Sequence, residues 1–288
     1  EGERKMIIGY VNNYYPDVRC IINKVHKANE EIQYKKITDY NKYINKILKR
    51  LKIARKNDND FFFQSKNKKY DILHTFNYVC KIKRPWVVTF ETTLPRIQET
   101  LKFHHEEQII NKTKNLYKGL SMLHDSNCKK IIALSNCAYN IQKDLLKQVD
   151  DNSKEIINKM EVIHPPQKVL ITEEELLNKY KNYSKKIEFV FVGNDFFRKG
   201  GDVIVDILTE YIKKGYNIHL NIVSKMGYGD YATFSTLEDS IKYKKIIEES
   251  DFISLYQNIP NSEVLKIIKK SHIGLLPTFA DTYGYSVL

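Results

Sequence analysis

Short apolar runs recur along the whole chain and alternate with segments of helical spacing. In the first half they predict β-strands at Lys5–Val11, Tyr70–Phe76, Pro85–Phe90, Lys130–Ser135 and Met160–Ile163. In the second half they predict strands at Ile187–Val192, Asn217–Ser224, Phe252–Gln257 and His272–Pro277. Nearly all-apolar strands that alternate with helices are typical of parallel sheets covered on both faces. The pattern therefore predicts an α/β protein.

The segments between these runs carry apolar residues at helical intervals. The i, i+3, i+4, i+7 spacing predicts an amphipathic helix at 39–55, built on Ile44, Ile47, Leu48 and Leu51. Asp17 is expected to cap a helix that runs to residue 29. Further helices are predicted at 98–123, 137–149, 201–214, 236–249 and 261–270, with a loop at 56–69.

The double proline Pro165-Pro166 is the clearest boundary signal, because proline ends both helices and strand ladders. It divides the chain into an N-terminal domain at 1–164 and a C-terminal domain at 165–288. Each part has the alternating pattern of a Rossmann-like domain, and we expect the two to face each other across a cleft. Ligands are expected in that cleft, beyond the carboxyl ends of the strands.

Composition excludes several classes of protein. Of the 288 residues, 42% are hydrophobic, which is enough for a sizeable core and excludes a wholly disordered chain. No apolar run approaches the ~20 residues of a bilayer crossing, and no secretory signal is visible, so we expect a soluble protein. The cysteines show no metal-binding spacing, and we expect reduced, mostly buried thiols at Cys20, Cys80, Cys128 and Cys137.

The chain is basic, with 47 Lys and Arg against 35 Asp and Glu and a net charge of +12. Such an excess favours anionic partners, among them nucleotide phosphates, anionic lipids and nucleic acid. The even spread of the lysines fits a compositional bias of the proteome equally well. Because the aromatic residues follow the strands rather than a basic face, we expect no nucleic-acid partner.

The first run with candidate chemistry follows the predicted strand Ile187–Val192. It reads Gly193-Asn-Asp-Phe-Phe-Arg-Lys-Gly-Gly201 and leads directly into a predicted helix. Backbone amides at a helix N-terminus, beside the cations Arg198 and Lys199, form a site suited to a diphosphate. The run matches neither the P-loop nor the G-x-G-x-x-G pattern. The alternative is a strand-to-helix turn with surface cations.

The second run follows the predicted strand His272–Pro277 and reads Thr278-Phe-Ala-Asp-Thr-Tyr-Gly284. Asp281 lies on this loop, where a carboxylate is able to accept hydrogen bonds from ligand hydroxyls while nearby amides face phosphate. The alternative is that Asp281 caps the helix that follows.

Together the two runs resemble the donor site of the retaining nucleotide-sugar glycosyltransferases of the GT-B fold, specifically glycosyltransferase family 4. Ser135 and the segment Val162-Ile-His-Pro-Pro166 resemble that family's domain junction. The match is specific from the region of Lys130 to the end of the chain. The resemblance implies two Rossmann-like domains and a retaining sugar transfer from a nucleotide-diphosphate sugar to a hydroxyl acceptor, without cofactor or metal.

Carried over residue by residue, the resemblance implies that Lys199 neutralises the donor diphosphate, with Arg198 as a second cation. Asp281 matches the first acid of the family's E-x7-E pattern and is implied to contact the donor sugar. The second acid would fall one place after Leu288, so we expect an incomplete C-terminal domain. Asn194 stands where the family usually has an arginine. The other positions implied to contact the donor are Gly193, Gly200, Thr282, Tyr283 and Gly284.

In the first half, Glu91 ends a strand where many relatives have a histidine near the reacting sugar. The resemblance implies that Glu91 orients an acceptor hydroxyl or supports positive charge at the anomeric carbon; the alternative is a polar residue at a strand end. His74 is a second candidate for the cleft, or else a structural histidine. Gly9–Asn13 is a poor equivalent of the family's glycine-rich loop.

Two further signals do not reach a metal site. The segment Asp58-Asn59-Asp60 has the D-x-D spacing of metal-dependent transferases, yet it lies in a predicted loop rich in lysine and asparagine. The segment His104–Glu107 lacks the i, i+4 histidine pair of a zinc helix. We therefore expect no metal ion.

The implied process is synthesis of a glycan or cell-envelope polysaccharide on a glycan or lipid-linked acceptor, in the cytoplasm or at the inner face of the membrane. Basic residues surround the helix at 39–55, among them Lys42, Lys46, Lys49 and Arg50, and suit contact with anionic lipid. The alternative is a helix whose apolar side packs on the domain's sheet. A catalytically degenerate, transferase-like binding protein is the alternative function, suggested by Asn194, Glu91 and the absent glycine loop.

Overall fold

The computed structural model describes residues 5–12, 15–22, 32–51, 61–66, 69–102, 112–149, 153–166, 169–181 and 186–284. The chain divides into two compact units, Glu1–Lys168 and Val169–Leu288, and the border lies just beyond Pro166. Each unit has a hydrophobic core of its own.

The first unit is built around a six-stranded parallel sheet. The described strands of the whole unit are β1 (Met6–Tyr10), β2 (Ile32–Lys36), β3 (Phe62–Phe63), β4 (Ile72–Phe76), β5 (Val79–Cys80), β6 (Trp86–Phe90), β7 (Cys128–Ala133) and β8 (Met160–Val162). Its helices are α1 (Tyr15–Cys20), α2 (Tyr40–Arg50), α3 (Gln98–Lys102), α4 (Lys114–His124), α5 (Asn136–Val149) and α6 (Ser153–Asn158). The sheet has the order β2-β1-β4-β6-β7-β8, and β3 pairs with β5 beside it. Fully buried Trp86, Val88, Phe90 and Ile131 form the middle of the core.

The second unit contains a four-stranded parallel sheet. Its strands are β9 (Ile187–Val192), β10 (Ile218–Val223), β11 (Ile253–Tyr256) and β12 (Ile273–Gly274). Its helices are α7 (Glu173–Lys181), α8 (Gly201–Lys213), α9 (Leu237–Glu248) and α10 (Asn261–Lys270). The order of the strands is β11-β10-β9-β12. Phe191, Phe196 and Leu220 are fully buried between the sheet and its helices.

Both sheets contain a topological switch point, where successive connections leave a strand in opposite directions. In the first unit β1 lies between β2 and β4, and in the second unit β9 lies between β10 and β12. In open parallel sheets, ligands bind beyond the carboxyl ends of the strands at such a point. The two candidate loops of the second unit follow β9 and β12 and therefore meet there.

Several sequence predictions need correction. The strand β2 and the helices α6 and α7 were not predicted, and the predicted loop at 56–69 contains β3. Asp17 lies inside α1 rather than at its cap, and residues 23–30 of that predicted helix lie outside the described residues. The predicted helix at 98–123 is interrupted, because extended Thr113 caps a new helix by accepting a hydrogen bond from the Leu116 amide.

The cysteines are free, as expected, but they are not mostly buried. Cys80 and Cys128 are buried, Cys20 is half-buried and Cys137 is exposed on α5. Burial raises the pKa of the Cys128 thiol to about 12, so this group remains a protonated, unreactive thiol. Among the described helices, none is both long enough and apolar enough to cross a membrane.

Candidate functional site

Two loops of the second unit bring opposite charges together at the switch point between β9 and β12. The Nζ atom of Lys199 donates a hydrogen bond to Oδ2 of Asp281 at 2.9 Å. Both side chains are largely buried, and 82 residues separate them in the chain. The structure thus joins the two residues for which the resemblance implied the most important roles.

Backbone contacts fix the distance between these loops. The amide of Phe279 donates to the carbonyl of Arg198 at 2.9 Å, and the amide of Leu275 donates to the carbonyl of Val190 at 2.8 Å. Gly200 has a φ of 74°, and a Cβ atom there would lie 2.3 Å from the carbonyl oxygen of Pro277. Only glycine permits both this left-handed conformation and this close approach.

Gly193 serves the same loop in another way. A Cβ atom at this position would lie 2.5 Å from Cδ of Lys199, so the glycine leaves room for the aliphatic part of the lysine side chain. The lysine stem therefore crosses the end of β9 and reaches Asp281 on the neighbouring loop.

The carboxylate of Asp281 is held by three donors. Its Oδ1 atom accepts hydrogen bonds from the amides of Thr282 at 3.0 Å and Gly284 at 3.2 Å, while Oδ2 accepts from Lys199. Burial opposes ionisation of Asp281, but the hydrogen bond and charge of Lys199, together with backbone hydrogen bonds, outweigh it and hold the pKa of Asp281 below its ordinary value of 3.8. Asp281 thus accepts hydrogen bonds from amides of its own turn and pairs with Lys199. Its contact with the donor sugar stays a prediction, and the helix that it was alternatively expected to cap lies outside the described residues.

The two glycine amides at the start of α8 are not bare, contrary to expectation. The amide of Gly200 donates to the carbonyl of Phe197 at 2.9 Å, and the amide of Gly201 donates to that of Phe196 at 2.8 Å. Asp202 places a carboxyl group in the first helical turn, and burial raises the pKa of this group. A tight turn before α8 therefore satisfies the two glycine donors, and the side chains of Arg198 and Lys199 carry the positive charge of this loop.

Arg198 connects the two loops rather than standing free. Its Nε and Nη2 atoms donate to Oδ2 of Asp195 at 3.1 and 2.5 Å, and Nη1 donates to the carbonyl of Ala280 at 2.5 Å. The guanidinium also lies over the ring of Tyr231, 5.7 Å from its centroid. Because Ala280 precedes Asp281, Arg198 holds the loop that carries the carboxylate. Its predicted role as a second diphosphate cation stays a prediction.

A cavity of about 270 Å³ opens beside Arg198. It is lined by Asp195, Arg198, residues 227–231, Thr233 and Ser235. Asn194 supports one wall of the cavity, because its carbonyl accepts a hydrogen bond from the amide of the lining residue Gly227 at 2.9 Å. Tyrosine rings, hydroxyl groups and charged side chains in one recess are chemistry suited to a sugar or nucleoside ligand.

In the first unit, Glu91 follows β6 at the carboxyl edge of the sheet and forms an ion pair with Arg96. Asn77, which has a φ of 61°, donates from Nδ2 to Oε1 of Glu91 at 3.3 Å. The Glu91 amide donates to Oδ1 of Asn77 at the same distance. Glu91 is therefore an oriented, ion-paired carboxylate.

His74 and Gly9 belong to the interior of this sheet. The Nε2 atom of His74 lies 2.7 Å from Oγ1 of Thr89, and burial lowers the pKa of His74 to about 4. A Cβ atom at Gly9 would lie 2.9 Å from Cγ1 of Ile37, so this glycine allows close packing of β1. His74 fits the structural interpretation.

Sequence reasoning missed the groups that hold the Glu91 loop. Gln142, fully buried on α5, accepts a hydrogen bond from the Leu94 amide at 2.6 Å and donates to the Leu94 carbonyl at 2.9 Å. Asn77 and Arg96 complete the support. The sequence did contain a signal for this support, because Gln142 lies within the apolar stripe of α5. A side-chain amide at such a buried position needs hydrogen-bond partners.

No group of three metal-ligating side chains occurs in the described parts of the chain. The segments Asp58-Asn59-Asp60 and His104–Glu107 lie outside the described residues.

No protein-family model and no curated protein matches the chain in sequence. Solved structures do match in fold. A glycosyltransferase from Rickettsia africae ESF-5 superposes with a TM-score of 0.51 and 17% identity over 96% of this chain and 74% of its own. The catalytic domain of starch synthase IV from Arabidopsis thaliana, bound to ADP and acarbose, superposes with a TM-score of 0.54 and 8% identity, over 97% of this chain and 79% of its own.

A trehalose-6-phosphate synthase structure gives a TM-score of 0.51 and 12% identity over 96% of this chain and 79% of its own. These likenesses, together with the two parallel α/β units, show that the chain has the GT-B glycosyltransferase fold with its two Rossmann-like domains.

Proposed function

We propose that this protein is a retaining glycosyltransferase that moves a sugar from a nucleotide-diphosphate sugar to a hydroxyl acceptor. The observation that carries the proposal is the Lys199–Asp281 pair at the switch point of the second unit. A largely buried cation and a carboxylate on adjacent loops of a GT-B fold are chemically suited to bind a diphosphate and a sugar hydroxyl.

In the proposed reaction, Lys199 turns from Asp281 towards the donor and stabilises the negative charge that develops on the departing diphosphate. Fixed positive charge at a leaving group is usually a large part of catalysis. Asp281, released from the ammonium, then accepts hydrogen bonds from hydroxyls of the donor sugar. No cofactor or metal ion takes part in this scheme.

The N-terminal unit is proposed to bind the acceptor, a glycan or a lipid-linked sugar. Glu91 is oriented by Asn77 and ion-paired with Arg96, which suits a carboxylate that orients an acceptor hydroxyl or supports positive charge at the anomeric carbon. We propose a cytoplasmic location, where nucleotide sugars are available, and a place in glycan or cell-envelope polysaccharide synthesis.

The proposal is tested by titrating the chain with UDP, GDP, ADP and their sugars and by measuring transfer and donor hydrolysis. Lys199→Ala is compared with Lys213→Ala, which removes an exposed lysine from the far end of α8. We expect Lys199→Ala to weaken nucleotide binding at least about tenfold, the equivalent of one charge-assisted hydrogen bond, and to abolish turnover. Lys213→Ala should match the wild type.

Two results would decide against the proposal. Undiminished transfer by Lys199→Ala would remove Lys199 from the reaction. Nucleotide binding that depends on Lys199, without turnover of any donor by the wild type, would identify a transferase-like binding protein instead.

A further inference from the structure

The apolar side of helix α2 is exposed to solvent. Ile44 is 49% exposed, Ile47 is 58% exposed and Tyr43 is 61% exposed, and Leu51, directly after the helix, is 60% exposed. A helix that packs on a sheet normally turns such a stripe inwards. The alternative considered from the sequence, an apolar side packed on the first unit, is therefore wrong for α2.

The side of α2 that faces the protein is rich in asparagine. Asn45 is buried, and Nδ2 of Asn41 donates a hydrogen bond to the carbonyl of Phe62 at 2.6 Å. The Asn41 amide donates to Oδ1 of Asp39, which fixes the start of the helix. Only Leu48 adds a half-buried apolar side chain to this face. Polar contacts thus hold α2 in the orientation that leaves its isoleucines outside.

A row of basic residues borders the exposed stripe. At 100° per residue, Lys42, Lys46 and Arg50 form a row centred about 120° around the helix from the asparagines, and all three are exposed. No acidic residue occurs between Tyr40 and Arg50. The helix therefore has three sides. The polar side contacts the rest of the unit, whereas the apolar side and the basic side are both exposed.

We propose that α2 docks this protein on an anionic lipid surface. The apolar stripe (Tyr43, Ile44, Ile47 and Leu51) enters the boundary between headgroups and acyl chains, and the basic row contacts lipid phosphates. Interfacial helices combine an apolar side with Lys and Arg in this way. A second copy of the chain is a poorer occupant, because two basic rows and two net charges of +12 would be brought together. The proposal is independent of the proposed transferase activity.

The experiment measures sedimentation of the full chain with vesicles of phosphatidylglycerol and phosphatidylcholine in equal parts, and with phosphatidylcholine alone. The stripe variant is Ile44→Ser with Ile47→Ser. Its control is Ile207→Ser with Ile241→Ser on α8 and α9, since those isoleucines are also 49% and 58% exposed. All four side chains are exposed, so both variants should retain the circular dichroism and melting temperature of the wild type.

We expect the wild type to bind the anionic vesicles and the stripe variant to bind them at least about tenfold more weakly, because it loses apolar surface that enters the membrane. The control variant should bind like the wild type. Lys46→Glu with Arg50→Glu should remove the preference for anionic over neutral vesicles. Raised salt should weaken wild-type binding, since it screens the lipid charge.

Three results would overturn the proposal. They are no vesicle binding by the wild type, equal binding by the stripe variant and wild type, and equal loss in the stripe and control variants. A wild-type dimer that dissociates in the stripe variant, without vesicle binding, would assign the stripe to a second copy of the chain. Nucleotide binding measured on the same preparations keeps this outcome separate from the fate of the proposed activity.

Discussion

The Lys199 ammonium and the Asp281 carboxylate lie 2.9 Å apart, although the loops that carry them follow strands at opposite ends of the second unit's sequence. The pair is largely buried and joins the ends of β9 and β12. The pair therefore stabilises this unit and also provides the groups of the proposed reaction. Experiments are able to separate these two roles.

A double-mutant cycle should give a coupling of about 1 kcal/mol between Lys199→Met and Asp281→Asn in the free energy of unfolding. Urea unfolding measures it. Because the pKa of Asp281 is lowered in the folded state, the coupling should be present above its ordinary value of 3.8 and disappear as the pH falls through the lowered value. A coupling of zero at neutral pH would contradict the ion pair.

Asp281→Asn should bind nucleoside diphosphates more tightly than the wild type and transfer sugar more slowly. The substitution frees Lys199 from its carboxylate partner, while an asparagine oxygen still accepts hydrogen bonds from the amides of Thr282 and Gly284. Loss of the acid removes a proposed contact to the donor sugar. Calorimetric titration with UDP, GDP and ADP checks the first effect and the turnover number checks the second. Weaker diphosphate binding would show that Asp281 does not compete for Lys199.

Gly200→Ala should destabilise the second unit by about 2–4 kcal/mol, because it combines a strained φ with a collision at the Pro277 carbonyl. The matched control is Gly215→Ala. Gly215 has a φ of 86°, but nothing lies within 4 Å of a Cβ atom there, so only the conformational cost of about 1 kcal/mol should remain. Thermal unfolding of both variants measures the difference. Equal losses would mean that the loops are free to move apart.

Asp17→Asn should stabilise the protein at pH 7.5 but not at pH 3.5. Burial raises the pKa of Asp17 from 3.8 to about 6, against hydrogen bonds from the Asn12 and Asp17 amides and the charge of Lys36. A raised acid pKa means that stability falls as the pH rises from 3.8 through 6. We expect a gain of about 1 kcal/mol above pH 6. Exposed Asp251, changed to Asn, is the control, and urea unfolding at both pH values shows whether the gain depends on pH.

Gln142→Leu should cost about 2–3 kcal/mol, because it leaves the buried amide and carbonyl of Leu94 without their side-chain partner. Gln148→Leu, at an exposed position of the same helix, should have almost no effect. Urea unfolding compares the two. If the two variants are equally stable, the hydrogen bonds between Gln142 and Leu94 contribute nothing to the free energy of unfolding.

The sequence allowed the sheets to be predicted because buried parallel strands are continuous apolar runs, as at Ile187–Val192. The strand β2 was missed because it lies at the edge of its sheet, where Ile32-Gln-Tyr-Lys-Lys36 needs little burial. The helix α7 was missed because it has no buried residue. Hydrophobic periodicity in a sequence reflects which side chains are buried, and β2 and α7 bury few side chains.

The candidate site could be predicted only in part. Lys199 and Asp281 were identified by resemblance, but their contact depends on the strand order β11-β10-β9-β12, which periodicity does not determine. The turn that engages the amides of Gly200 and Gly201 depends on local backbone angles. The amphipathic character of α2 was predicted, whereas its outward apolar side depends on the asparagine contacts to the loop at Phe62.

The central place of β9 has a consequence for the folding of the nascent chain. His272 and Glu188 exchange hydrogen bonds beside β9, from the His272 amide to the Glu188 carbonyl at 2.7 Å and from the Glu188 amide to Nδ1 of His272 at 3.0 Å. These partners are 84 residues apart, so closing this loop costs more entropy than pairing β9 with β10. Until β12 leaves the ribosome, β9 keeps an unpaired apolar edge. Synthesis of this unit therefore passes through an aggregation-prone stage that ends when β12 pairs with β9.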